Sequence, residues 1–187
     1  MLRLLAFVAA LLIGVPAFAQ GLPAGADPQN TLIIDTTQGR IVIKLRNDIA
    51  PNHAARLKQL AREKFYDGVA FHRVIPGFMA QTGDGQNQNG TGGSKYPDLK
   101  AEFSNVPYKR GVVGMARKGN SNDSANSQFF ITYGDASFLN GQYTVIGEVL
   151  SGMDVVDKIK GMPTGSNGGH QNVPTQPVVI KSAKLLP

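Results

Sequence analysis

One short stretch of the chain places a single cation among apolar and amide side chains. If this stretch is extended, strand alternation puts Phe71, Arg73 and Ile75 on one face. Beyond a Pro-Gly turn, the same alternation puts Met79 and Gln81 together. An arginine in this setting either packs its stem on apolar surface or serves as a placed hydrogen-bond donor. The second alternative is a chemistry of charge stabilisation, since a guanidinium needs neither proton transfer nor a nucleophile.

A second stretch, residues 127–132, alternates in the same way. Gln128 and Phe130 share one face of the expected strand, and Phe129 and Ile131 share the other. The sequence therefore predicts that one face belongs to the core and the other to a site.

Two common kinds of site lack their required residues. The glycine-rich stretch 83–95 does not have the Gly-Lys-Ser/Thr order of a phosphate-binding loop, because Ser94 precedes Lys95. No serine lies between glycines in a nucleophile turn, and His72 has no obvious partner acid. We therefore expect neither a nucleotide site nor a hydrolytic triad.

The composition excludes further classes of functional site. The chain has 187 residues, of which 42% are hydrophobic and 17% charged, and this predicts one globular domain. It contains no cysteine, which excludes disulfides, thiol nucleophiles and iron–sulfur clusters. Three histidines remain as imidazole ligands, so we expect no metal and no other cofactor.

The first residues predict export. Residues 1–19 carry one cation, Arg3, then an apolar run and a small-x-small end at Ala19, as in a cleavable signal peptide. The run is shorter than the about 20 residues that a membrane-spanning helix needs. We expect a leader over residues 20–30, a domain over 31–187, and a periplasmic location, or secretion if the source lacks an outer membrane.

The hydrophobic periodicity predicts many strands and two helices. Two β-rich runs, Leu32–Asp35 and Arg40–Leu45, predict a hairpin. Helices are predicted from Pro51 to Phe65 and from Ser151 to Lys160, the second with Ser151 as its N-cap. A last strand is predicted over Val178–Leu186. This pattern favours a closed barrel with helices at its ends over alternating βαβ units.

Four motifs in order carry a resemblance to a known family. They are FHRVIPGFMAQTGD (71–84), SQFFIT (127–132), FLNGQYTVIGEV (138–149) and SGMDVVDKI (151–159). Together they resemble the cyclophilin family of peptidyl-prolyl cis-trans isomerases, over a span from about Thr31 to the C-terminus. The resemblance implies a mainly β fold, a closed eight-stranded antiparallel β-barrel capped by two α-helices, with the active groove on its outer surface.

The resemblance also implies roles for individual residues. Arg73 takes the place of the family's catalytic arginine. The implied substrate-binding residues are the proline pocket Phe78, Met79, Phe130 and Leu139, the polar neighbours Gln81 and Gln128, the groove residue Ala116, Asn126 through its backbone, and Phe138 and Tyr143, which stand where many members have Trp and His. Because Phe138 lacks an indole N–H, strong binding of cyclosporin-like drugs is not expected.

The implied activity is rotation about X–Pro bonds during the folding of exported proteins, without a covalent intermediate. The expected partners are proline-containing peptides and unfolded exported proteins. We expect no nucleic-acid partner, no stable membrane anchor after signal cleavage, and a monomer. Two other functions stay open. One is a non-catalytic proline-peptide-binding module or chaperone. The other is an adhesin that binds anionic surfaces through the positive charge of the chain, which is formally +6 at pH 7.

Export gives the first testable prediction. We expect cleavage after Ala19, because the small residues before Gln20 suit a signal peptidase. The intact mass of the exported protein measures this directly. A mass that includes residues 1–19 would contradict the prediction.

Overall fold

A computed structural model describes residues 23–186. The expected signal peptide and the first residues of the expected leader lie outside the described residues. The strands are β1 (Thr31–Thr36), β2 (Gly39–Leu45), β3 (Arg73–Ile75), β4 (Met79–Thr82), β5 (Val112–Met115), β6 (Phe129–Thr132), β7 (Val145–Ser151), β8 (Thr164–Asn167), β9 (His170–Pro174) and β10 (Ile180–Leu185). The helices are α1 (Pro51–Arg62) and α2 (Met153–Lys160). Within residues 23–186, neither helix is long and apolar enough to cross a membrane.

Eight strands form one antiparallel sheet, in the order β10-β1-β2-β7-β5-β6-β4-β3. β8 and β9 form a separate hairpin. The predicted hairpin of the first two β-rich runs is confirmed, since β1 pairs with β2 and Thr36 lies opposite Gly39. The predicted last strand is β10, slightly shorter at both ends. The fold is therefore mainly β with two helices, as expected.

The sheet is curled and has two edge strands, β10 and β3. The closed barrel that the sequence predicts would have no such edges. β3 and β10 do not pair as strands because β3 is short and begins only at Arg73. The chain just before β3 is the part that meets β10. There, the Phe71 N–H donates to the Val178 carbonyl at 2.8 Å, and the Ile180 N–H donates to the Val69 carbonyl at 2.9 Å. Backbone hydrogen bonds of a loop thus connect the two edges.

β6 is buried on both faces, and this divides the apolar side chains into two clusters. Phe129 and Ile131 belong to the main core, which also contains the buried faces of both helices. Phe130 belongs to a smaller cluster with Met79 and Leu139. The alternation predicted for residues 127–132 is therefore confirmed.

The alternation predicted around Arg73 is wrong in one respect. Phe71 is buried in the main core, whereas Arg73 is exposed. Phe71 precedes β3, so strand alternation does not extend to it.

α1 begins at Pro51 as predicted but ends at Arg62, before Phe65. Lys64 adopts a φ of 57°, and the Phe65 N–H donates to the Leu60 carbonyl at 2.9 Å. A left-handed residue with such a bond closes an α-helix. The predicted apolar stripe is buried at Ala54, Leu57 and Ala61.

α2 begins without the Ser151 cap that the sequence predicts. Ser151 is the last residue of β7 and pairs with Val42. The N-cap is Gly152, with a φ of 94°. A Cβ at Gly152 would lie 2.9 Å from the Cα of Ile41, so only glycine allows this direct passage from strand to helix.

Glu102 connects α1 to the rest of the fold. Its carboxylate accepts the backbone N–H groups of Asn52 and His53, each at 3.1 Å, and lies 2.6 Å from Nδ1 of His53. It therefore satisfies N–H groups that have no partner inside the helix. The Glu102 N–H in turn donates to Oγ1 of Thr144 at 2.9 Å, next to the start of β7.

Both members of the Glu102–His53 pair have shifted pKa values. Burial lowers the pKa of His53, which is fully buried, and the hydrogen bond to Glu102 offsets only part of this. Burial would raise the pKa of Glu102, but its hydrogen bonds to His53 and Asn52 hold that pKa below its ordinary value.

We predict that the free energy of unfolding decreases as the pH falls, and that His53 accounts for part of the decrease. The His53 contribution is present above the ordinary histidine pKa of 6.5 and is lost as the pH falls towards the lower folded value. The Glu102 contribution is lost below the ordinary glutamate pKa of 4.5 in the same manner. Urea unfolding at about pH 7.5 and pH 5 should show a smaller loss in His53→Gln than in the unchanged protein. An equal loss in both proteins would contradict this assignment.

Candidate functional site

A surface cavity of about 400 Å³ opens where the smaller apolar cluster meets solvent. Its lining contains most of the residues that the sequence predicts for the site: Arg73, Phe78, Met79, Gln81, Ala116, Phe130, Phe138, Leu139 and Tyr143. We call it the first cavity. The structure thus brings together residues that are up to 70 positions apart in the chain.

Three neighbouring strands position the centre of the first cavity. Arg73 on β3 lies opposite Gln81 on β4, and Gln81 lies opposite Phe130 on β6. Met79 shares the face of Gln81, two residues earlier on β4. The remaining wall comes from a 3-10 turn that carries Leu139.

The floor of the first cavity is apolar and buried. Met79, Phe130 and Leu139 are almost fully buried. The Phe130 ring meets the Tyr143 ring edge-on, with centroids 5.8 Å apart. At the rim, Phe138 is 63% exposed although it contacts another ring, so it offers apolar surface to a ligand. Such a floor suits a small apolar ring better than a charged group.

Arg73 lines the same cavity and is hydrogen-bonded to a chain of side-chain amides. Its Nη1 donates to Oε1 of Gln81 at 3.3 Å, and Nε2 of Gln81 donates to Oε1 of Gln128 at 2.9 Å. Nε2 of Gln128 donates to the carbonyls of Gly90 and Gly92, at 3.0 and 2.8 Å. The amide chain therefore ties the guanidinium to the glycine-rich loop.

The glycine-rich loop is itself organised around Asp84. The Asp84 carboxylate accepts five backbone N–H groups, those of Gln86, Asn87, Asn89, Gly90 and Gly92. Burial would raise the pKa of Asp84, but the backbone donors outweigh it and hold the pKa at about 2. The N–H groups that a phosphate-binding loop offers to its ligand are here taken by a side chain.

A second cavity of about 390 Å³ lies beside the first and shares Gln81, Ala116 and Arg117 with it. Gln128 and Asn126, the two predicted site residues that the first cavity does not include, line this second cavity. The Asn126 side chain is engaged with residues 94–98, since its Oδ1 accepts the Ser94 N–H at 2.7 Å. Pairing of the Asn126 backbone with a peptide stays a prediction.

Arg117 is a groove residue that the sequence does not predict, since a cation in a loop favours a solvated position. Arg117 is half-buried and lines both cavities. Its guanidinium carbon lies 4.5 Å from the centroid of the Tyr143 ring. Gln142, which also lines the first cavity, was missed as well. The available signal was the position of Arg117 directly after Ala116, which had been assigned to the groove.

Histidine chemistry has no evident place in this site. His72 is buried outside both cavities, and burial lowers its pKa. Within residues 23–186, no cluster of three or more His, Asp or Glu side chains could hold a metal ion. The polar side chains that line the first cavity are those of two arginines, two glutamines and one tyrosine: Arg73, Arg117, Gln81, Gln142 and Tyr143.

A family model and the relatives found by sequence similarity carry the same description. A family model described as cyclophilin type peptidyl-prolyl cis-trans isomerase matches residues 31–185. The chain is 54% identical over 177 residues to a probable peptidyl-prolyl cis-trans isomerase of Brucella suis, covering 89% of the chain and 90% of the relative. It is 44% identical over 162 residues to peptidyl-prolyl cis-trans isomerase B of Escherichia coli, covering 80% and 96%.

A solved structure agrees with these relatives. The chain is similar to a cyclophilin type peptidyl-prolyl cis-trans isomerase of Cryptosporidium parvum, crystallised in the presence of the dipeptide Ala-Pro. The TM-score is 0.75 and the identity 27%, over 83% of this chain and 98% of that one.

The geometry of the Asp84 loop gives a testable prediction. In Asp84→Asn the amide oxygen accepts fewer N–H groups, so the free energy of unfolding should fall by about 1–3 kcal/mol. Amide hydrogen exchange at Gly90 and Gly92 should become faster. Asp154→Asn is the matched control, because Asp154 is an exposed carboxylate on α2. If both variants behave alike, the loop does not depend on Asp84.

Proposed function

The chain belongs to the family of cyclophilin-type peptidyl-prolyl cis-trans isomerases, and from this premise we propose how it catalyses the reaction. Arg73 donates to the prolyl nitrogen while the first cavity holds the proline ring. The observation that carries the proposal is the position of an exposed guanidinium beside a buried apolar floor in one cavity.

Rotation about the X–Pro bond is limited by its rate and hardly by its equilibrium. The X–Pro bond rotates over a barrier of about 18–20 kcal/mol because of its partial double-bond character. The cis and trans forms differ by only about 0.5–1 kcal/mol. Uncatalysed exchange takes about 10–100 s at 25 °C, which is slow enough to limit folding.

Arg73 addresses this barrier by electrostatics. As the bond twists, conjugation is lost and the prolyl nitrogen gains lone-pair character. A cationic donor aimed at that nitrogen therefore stabilises the transition state more than the ground state. Gln81 supports the donor from one side, which leaves the other guanidinium N–H groups for the substrate.

The apolar floor supplies the other half of the catalysis. Met79, Phe130 and Leu139 would hold the proline ring still, with Phe78 and Phe138 at the rim. The peptide on the other side of the bond can then turn. Because no bond to the substrate is made or broken, the proposal includes no covalent intermediate and no cofactor.

The ligand in this proposal is a proline-containing peptide. The Ala-Pro dipeptide named for the Cryptosporidium structure supports this class of ligand. The second cavity continues from the first through Gln81 and Ala116, so an extended peptide would cross both. In that arrangement the backbone near Asn126 would pair with the peptide, and Gln128 would line its path.

The proposal also includes the export of the protein and the closure of its sheet into a barrel. Residues 1–19 support export, and hence a role in the folding of exported proteins. We propose that the enzyme acts as a monomer. The hydrogen bonds between residues 68–71 and the start of β10 support the closure of the curled sheet into a barrel.

The test is the X–Pro exchange rate of a short peptide, measured by NMR with the purified protein and with Arg73→Ala. We expect kcat of the variant to be about a hundredfold lower, which is the effect of removing one preorganised hydrogen-bond donor in other enzymes. The variant should stay folded and still bind the peptide. Arg62→Ala, a change of an exposed cation at the end of α1, is the matched control and should keep full activity.

Two outcomes would go against this proposal. If Arg73→Ala keeps most of the activity, the assigned role of Arg73 is wrong. If the folded, unchanged protein binds the peptide without accelerating exchange, this chain is a proline-peptide-binding module.

A further inference from the structure

We propose that Arg117 makes the groove selective for substrate peptides with an acidic side chain close to the proline. The inference rests on the proposed function, since it concerns the peptide that lies across the two cavities. Arg117 lines both cavities and therefore stands beside the path from one to the other.

The guanidinium of Arg117 is held in place before any ligand arrives. Its Nε donates to the Gln142 carbonyl at 3.2 Å, and its Nη1 donates to the Lys118 carbonyl at 3.1 Å. One face of the guanidinium lies over the Tyr143 ring, at 4.5 Å from the centroid. These contacts fix a long side chain that would otherwise lose rotamer freedom on binding.

The same contacts leave most of the binding capacity of Arg117 unused. A guanidinium has five N–H donors, and the two hydrogen bonds to carbonyls of the described residues engage one donor on Nε and one on Nη1. Both N–H groups of Nη2 remain available to a ligand. Nη2 and Nη1 together form the edge of the guanidinium that can bind a carboxylate in a bidentate manner. Neither carbonyl partner carries a charge, so the positive charge is not neutralised by them.

Among the described residues, four arginines have no carboxylate partner: Arg56, Arg62, Arg73 and Arg117. Of these four, Arg73 and Arg117 line the first cavity, so their unpaired charge faces the groove. Three arginines elsewhere on the surface are neutralised by aspartates: Arg40 by Asp35, Arg46 by Asp48, and Arg110 by Asp157. Within residues 23–186, no carboxylate forms an ion pair with Arg117. The carboxylate that lines the second cavity, Asp98, is engaged by Lys118 and by the Asn126 amide.

The electrostatics of the groove point to the same ligand. The charged residues that line the first cavity are Arg73 and Arg117, both cations. The second cavity adds Lys118 and Asp98, which pair with each other. A groove lined by an excess of one sign attracts the opposite sign, and the attraction weakens with salt. A glutamate or aspartate of the peptide therefore fits the edge of Arg117, while Arg73 stays available to the prolyl nitrogen.

The experiment compares peptides that differ only in whether one side chain is a carboxylate or an amide. Each short peptide has one X–Pro bond and carries Glu or Gln at one of the two positions that flank that dipeptide. NMR exchange gives kcat/KM, and NMR titration gives Kd, for the unchanged protein and for Arg117→Gln, Arg117→Lys and Arg62→Gln. Arg62→Gln is the matched control, because it removes the same charge from an exposed position outside both cavities.

We expect the unchanged protein to favour Glu over Gln by about two- to fivefold at one position or more, the range typical of a partly exposed ion pair. The preference should disappear in Arg117→Gln, be partly kept in Arg117→Lys, and persist in Arg62→Gln. Salt at about 0.5 M should reduce it. A Glu-to-Gln ratio that is the same in Arg117→Gln and the unchanged protein at every position would overturn the inference, as would an equal loss in Arg62→Gln.

The two readouts separate this inference from the function on which it rests. If the unchanged protein fails to accelerate exchange in the Gln peptides, the proposed function fails. The titrations would then still show whether Arg117 distinguishes Glu from Gln in binding.

Discussion

Strand β6 is buried on both faces, and the position of the site follows from that constraint. Because successive side chains of a strand point to opposite faces, Phe129 and Ile131 pack into the main core while Phe130 forms the floor of the first cavity. The main core thereby fixes the backbone of the strand that carries the floor. A ligand on the outer face meets a wall that cannot yield without disturbing the core, as a preorganised site requires.

The polar half of the site is held by a different means. Arg73 is exposed, so packing does not position it, and the amide chain through Gln81 and Gln128 does so instead. That chain ends on the carbonyls of the glycine-rich loop, whose shape depends on the Asp84 carboxylate. A buried charge satisfied by backbone N–H groups is thus connected, through hydrogen bonds alone, to the cation over the apolar floor. The rigidity of the floor and that of the donor have separate physical origins.

Local patterns predicted the parts of the fold that local chemistry determines. The alternation of residues 127–132 predicted the two faces of β6, and Pro51 predicted the start of α1. The end of α1, the cap of α2 and the extent of β3 were not predictable in this way, since they depend on Lys64, on Gly152 and on the chain that meets β10. The site residues came from the family resemblance, and the structure brings them together in two adjoining cavities. Arg117 was not predicted because the residues that follow it, Lys118 and Gly119, are typical of a solvated loop, and because Tyr143 approaches it only in the folded chain.

The central claim is that one cavity holds the proline ring and presents Arg73 to the nitrogen of that ring. A crystal structure of the protein with a bound Ala-Pro-containing peptide tests this most directly. We expect the ring on the floor formed by Met79, Phe130 and Leu139, with a guanidinium nitrogen of Arg73 within about 3–3.5 Å of the prolyl nitrogen. A proline ring bound in the second cavity, or one whose nitrogen faces away from Arg73, would contradict the claim.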